Sequence, residues 1–188
     1  MSFVQRRRFL WILFLAGLGL LAVAANATTL ARLRFEELAK RATAVARLRC
    51  LGAQSRWENG EIWTETLFEV VESNKGLLPG LVTVRTMGGS IGNLHSRIEG
   101  VPSFRAGEEA YVFLWRHEGE PYRVLGWSQG TFRIARNART GVETVTQDSA
   151  GVPIFDPRTR EFRHGGIRNV PIAIFQLKLR KALEDKTQ

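Results

Sequence analysis

The sequence predicts an α+β domain that is mostly β: a small barrel with a short N-terminal helix, an added β-hairpin and a C-terminal amphipathic helix. Three observations carry that expectation. Apolar residues recur with period two over much of residues 43–147. Two such stretches are separated by Asn59-Gly60, a strong hairpin signal. Helical spacing is confined to residues 30–41 and to the segment after Pro171.

Ahead of these elements stands a targeting pattern. Arg6, Arg7 and Arg8 precede an apolar run from Phe9 to Ala24, and Ala25-Asn26-Ala27 follows. This is the grammar of a secretory signal peptide over residues 1–27, cut between Ala27 and Thr28. The run is shorter than the roughly 20 residues a spanning helix needs. An uncleaved anchor is the alternative, and the only membrane contact expected. Residues 6–10 fit the twin-arginine pattern loosely, but the strongly apolar run favours Sec export. The expected location is the periplasm or the exterior. Residues 28–188 then form a single β-rich domain, with the barrel core in 28–126 and the hairpin, loop and helix in 127–188.

Within 30–41, Leu30, Leu33, Phe35 and Leu38 can share one helix face, with Thr28 or Thr29 as the cap. In the next strand Val45, Arg47 and Arg49 point one way and Ala46, Leu48 and Cys50 the other. After the turn, Ile62, Thr64, Thr66, Phe68 and Val70 oppose Trp63, Glu65, Leu67, Glu69 and Val71. Neither face is wholly polar, as suits a barrel strand whose outside is partly covered by a helix. Residues 81–87 make a third strand. A long irregular segment with Gly88, Gly89, Gly92 and Gly100 leads to a fourth strand, 110–116, apolar enough to be central. Residues 121–127 make a fifth. Residues 129–136 and 142–147 read as a further hairpin, and 148–166 as loop with a turn at Asp156-Pro157. In the last helix Ile172, Phe175, Leu179 and Leu183 share a face, and Pro171 suits its first position. Five strands over 43–126, with a long excursion between the third and fourth, suit a barrel of the OB type.

The run "ATAVARLRCLG", "IWTETLFEVVESNKG", "LVTVRTMGG", "GVPSFRAGEEAYVFLW" resembles a family of uncharacterised exported bacterial proteins. More loosely, it is similar to the OB-like fold of netrin modules and tissue inhibitors of metalloproteinases. The resemblance covers roughly residues 28–116 and rests on turn glycines and strand patterns, so it implies a fold rather than an activity. Those inhibitors chelate zinc through an N-terminal cysteine. Here the expected mature N-terminus is Thr28, and no residue of that site carries over.

The composition narrows the chemistry. The net charge of +9 falls to +6 once Arg6, Arg7 and Arg8 leave with the signal, a mild basic bias. Cys50 is the one cysteine, so no internal disulfide braces the domain, and its place in a strand reads as a small buried residue. His95, His117 and His164 are far apart in sequence, without the spacing of a preformed metal site. Gly88-Gly89-Ser90-Ile91-Gly92 has G-x-S-x-G spacing, but it stands in the long irregular segment with no helix opening after it, and a nucleophile elbow needs a strand-to-helix turn. The pairs Glu36-Glu37 and Glu108-Glu109 read as surface charge. "GGSIGN" lacks the lysine and helix of a phosphate loop. No enzyme, metal or cofactor is expected.

Residues 121–168 hold eight arginines against four acids, interleaved with aromatics. On strands pairing across Gly126–Gly130, Arg123 and Arg133 would share a solvent face. They are candidate ligand-binding residues, with Trp127 and with His95 of the long loop. The expected function is an exported, non-enzymatic binding or accessory module. A protease inhibitor or protease partner, and a binder of anionic envelope polymer, are the alternatives. Nucleic acid is not an expected partner.

Overall fold

The computed structural model of the protein describes residues 31–184, so the expected cleavage site at Ala27 and Thr28 lies outside the described residues. The chain runs α1 (Phe35–Arg41), β1 (Ala44–Glu58), β2 (Glu61–Lys75), β3 (Leu81–Met87), β4 (Gly89–Ile91), β5 (Leu94–Ser96), β6 (Glu109–Trp115) and β7 (Arg123–Val124). A 3-10 turn (Trp127–Gly130) leads to β8 (Thr131–Arg136) and β9 (Glu143–Gln147). Then follow β10 (Ile154–Asp156), β11 (Glu161–Arg163), β12 (Val170–Pro171) and α2 (Ile172–Glu184). The fold is mostly β. Its centre is an eight-stranded antiparallel sheet in the order β12-β9-β8-β6-β1-β2-β3, with β7 also on β6. The ladder is not closed on itself. β3 and the start of β7 meet in an isolated parallel bridge, Val84 to Tyr122, where Arg85 N donates to Tyr122 O at 2.8 Å. Among the described residues, no helix is long and apolar enough to cross a membrane.

β6 is central because both of its faces are buried. Ala110, Val112 and Leu114 join Ala46, Leu48, Cys50, Phe68 and Val84 in one core. Tyr111 and Phe113 join Leu38, Phe132, Phe175 and Leu179 in the other, beneath the two helices. The expected faces of β1 hold, and burial pushes the Cys50 thiol up. Asn59 and Gly60 turn the β1–β2 hairpin with φ of 50° and 84°, the double positive φ of a type I′ turn. Phe175 and Leu179 fix the buried stripe of α2 as the spacing predicts.

Three expectations need correction. The first helix begins at Phe35, not Leu30. Arg32 N donates to Phe155 O (2.9 Å) and Leu33 N to Gln129 Oε1 (2.8 Å), which holds that stretch extended. Arg34 is the N-cap, its N–H bonded to Glu37 Oε2 at 2.8 Å. The fifth strand shrinks to Arg123–Val124, because Gly126 and Trp127 take positive φ and start the 3-10 turn. Finally, β7 and β8 do not pair across Gly126–Gly130. Both lie on the same edge of β6, through Leu114 with Val124 and Ala110 with Arg133. The segments read as loop also contain two small hairpins, β4–β5 and β10–β11.

A charge network crosses the outside of β1 and β6. Arg47 Nε donates to Glu109 Oε2 at 2.7 Å, Arg49 Nε to Glu109 Oε1 at 2.9 Å, and Arg47 Nη2 to Glu143 at 3.2 Å. Burial by itself would raise the Glu109 pKa, but the two guanidiniums hold the carboxyl below its usual range. A depressed carboxylate pKa contributes stability above the unfolded-state value, and loses it as pH falls through the folded value. The native protein should therefore lose this contribution as pH falls below about 4.3, the ordinary glutamate value. Glu109→Gln is expected to cost about 2 kcal/mol at neutral pH, as for hydrogen bonds to charged partners. It should also flatten the acid limb. Urea unfolding at several pH values reads both effects, and an unchanged acid limb would show that the network contributes nothing.

Candidate functional site

The concave face of β1, β2 and β3 changes chemistry along its length. Near β6 it presents Leu48, Cys50, Phe68 and Val84 to the core. Toward the Asn59-Gly60 turn the same face carries Ser55, Thr64, Thr66 and Thr86. On β2 and β3 alternation makes this possible, because residues two apart share a face; on β1 a register shift between Cys50 and Gly52 brings Ser55, five residues beyond Cys50, onto that same face. The result is a groove of ≈ 770 Å³, closed on its far side by the segment from Arg97 to Arg105 with Phe104 in the lining.

The β4–β5 hairpin is a flap tied to this wall by hydroxyls. Ser55 Oγ lies 2.9 Å from Thr64 Oγ1, and Thr64 Oγ1 donates to Gly88 O at 2.6 Å. Ser90 N donates to Ser55 Oγ at 3.2 Å, and Ser90 Oγ meets His95 Nδ1 at 2.8 Å. Gly89 must be glycine here: its φ is 136°, and a Cβ would overlap Thr64 Oγ1 and Ser55 Oγ. The titratable residues lining the groove are His95, Arg97 and Arg105. Met87, His95, Ser96 and Ile98 also line an adjoining pocket of ≈ 270 Å³, completed by Trp57, Ile62 and Leu94 and carrying Glu61 at the hairpin tip. Trp57 is 60% exposed and Leu94 58%.

The four residues singled out in the sequence are not brought together. His95 is in the groove. Trp127 lines a separate apolar hollow of ≈ 460 Å³ with Trp115 and Leu125. Arg123 lies over the rings of Trp63 (5.5 Å) and Trp115 (5.9 Å) and pairs with Glu120 at 3.5 Å. Arg133 is held by Asp148 (2.7 Å), Glu108 (2.5 Å) and the Ser103 carbonyl (2.6 Å). Burial opposes its charge, but Asp148 and Glu108 outweigh that and raise its pKa. Arg133 ties the groove's far wall to β8 and β9.

The residues that line the groove's rim, Trp57, Leu94, Arg97 and Arg105, are absent from the set singled out in the sequence. A signal for one was there: Trp57 stands two residues before the Asn59-Gly60 turn, and a hairpin tip leaves little to bury it. Among the described residues, no group of three His, Cys, Asp or Glu side chains is placed to hold a metal ion. Comparison of the chain with protein-family models, with curated proteins and with solved structures finds no match.

Proposed function

We propose that the protein is an exported, non-enzymatic accessory module that binds a partner protein through this groove, on a core that is an OB-like barrel. The barrel reading is supported by the order β3-β2-β1-β6-β7 and by the bridge from Tyr122 back to Val84, which brings the fifth strand round beside the third. Export is supported by the residue pattern over 1–27.

The observation that carries the binding reading is the groove joined to an apolar pocket with Trp57 and Leu94 exposed beside it. Exposed aromatics next to a pocket are the usual anchors of protein interfaces, and contiguous exposed apolar surface marks interaction sites. Binding of an anionic envelope polymer is the second reading, favoured by Arg97 and Arg105 in the lining. Arg123 and Arg133 do not add to it, since both are engaged by neighbours within the chain.

The test is a pull-down from the envelope fraction with the parent and two variants, read by quantitative mass spectrometry. The double variant Trp57→Ala with Leu94→Ser should lose the partner at least tenfold. Arg123→Gln, outside the groove, should retain it. A partner captured equally by all three, or no protein enriched by the parent, would overturn the reading.

A further inference from the structure

β1 outruns its neighbour. Its ladder with β6 ends at Arg49 and Glu109, and the last backbone bonds on that side join Cys50 N to Glu108 O (2.9 Å) and Gly107 N to Cys50 O (2.8 Å). Beyond that point β1 continues to Glu58 with β2 on one side only. Glu58 and Glu61 flank the two-residue turn, so their backbone groups face each other. By alternation, Arg56 and Gln54 also turn toward β2, while Trp57, Ser55 and Ala53 direct N–H and C=O to the other side. Among the described residues, those groups have no backbone partner. Ala53 and Ser55 line the groove and Trp57 lines its side pocket, so the free edge and both cavities are contiguous.

From this, and resting on the partner-protein reading above, we infer that β1 accepts an added strand: an extended partner segment pairs with the backbone of Ala53, Ser55 and Trp57. Exposed edges are ready templates for such pairing. In strand addition the main chain supplies affinity and alternate pockets supply specificity. The lining chemistry selects the side chains. An apolar residue of the added strand enters the pocket of Trp57, Ile62, Met87, Leu94 and Ile98. Acidic residues meet Arg97 and Arg105. The partner segment is therefore extended, with an apolar residue and acidic residues at every second position, all on its groove-facing side. Three edge residues span about 14 Å of strand, from the rise per residue, so four to six residues of partner suffice.

The experiment uses the octapeptide Ser-Val-Ser-Glu-Ser-Glu-Ser-Glu as probe, so that valine and glutamate share one face, with the corresponding valine–lysine peptide and two copies of the probe N-methylated on alternate amides. An added strand uses only one alternating set of its N–H groups. One methylated register should lose binding at least tenfold, and the other should bind like the parent peptide. The valine–lysine peptide should bind at least tenfold more weakly. Amide exchange at Ala53, Ser55 and Trp57 should slow on binding, and Trp57→Ala should weaken it. Equal effects of the two methylated registers, or no protection at these three amides, overturns strand addition even if the pull-down has identified a groove partner. If polygalacturonate binds the groove and the peptides do not, strand addition falls and the polymer reading stands. If the peptides bind with the expected register while the pull-down finds no partner, the edge mode stands and the accessory role falls.

Discussion

Phe132→Ala is expected to destabilise the protein by about 3–5 kcal/mol, the range for emptying a buried aromatic site. Phe132 is fully buried on β8, and its ring lies 5.5 Å from Phe35, 5.3 Å from Phe113 and 5.2 Å from Phe175. Those four rings come from α1, β6, β8 and α2, so the cavity would loosen both helices from the sheet. Against a total stability of about 5–15 kcal/mol for a domain, many molecules would approach the unfolding threshold. Thermal midpoints should drop by roughly 10 °C, from about 2–4 °C per kcal/mol at this size. Phe132→Leu keeps most of the volume and should cost less than half as much. Urea unfolding with an unchanged slope would assign the loss to native packing. A loss below about 1 kcal/mol would show that this cluster does not hold the helices.

Gly130→Ala is expected to cost about 3 kcal/mol although it adds a single methyl group, the upper end of ordinary overpacking. A Cβ at Gly130 would overlap the Leu125 carbonyl oxygen and lie 3.5 Å from Phe113 Cβ. Neither neighbour can retreat, because Leu125 N is bonded to Phe113 O at 2.8 Å and Phe113 belongs to the central strand. The 3-10 turn that redirects the chain from β7 to β8 would have to open. Gly52→Ala is the matched control, since a Cβ there meets nothing within 4 Å. It should change stability by about 0.5 kcal/mol or less. Differential scanning calorimetry of the two variants decides the matter. Similar midpoints for both would show that the Leu125–Gly130 contact relaxes at little cost.

The strands that could be read from the sequence are those whose signal is local. Alternation in residues 44–50 placed Ala46, Leu48 and Cys50 on the core side, and Asn59-Gly60 placed the hairpin, because side-chain direction and turn geometry depend on adjacent residues. β6 was legible as central because burial on both faces removes the polar half of the pattern. The last helix was legible because Phe175 and Leu179 repeat at helical spacing over three turns.

Long-range partners decided the rest. Arg32 and Leu33 have helical spacing, but Phe155 and Gln129 take their backbone N–H groups and delay the helix to Phe35. Arg123 and Arg133 lie on neighbouring segments of sequence, yet both strands chose β6 over each other, and strand choice depends on which edges are free when the sheet assembles. The candidate site belongs to this second category. Its hydroxyl wall could be traced to alternation in β2, but its depth comes from the segment 97–105, which Arg133 holds through the Ser103 carbonyl. Its open edge exists because β1 runs on after β6 has ended at Glu109. The sequence by itself determined the period of each element, the hairpin turn and the buried face of β1. Only the tertiary structure decided strand order, the start of α1 and the groove. Period and turn type are set by steric and solvation preferences within a few residues, whereas order and cavity shape are set by contacts between residues tens of positions apart.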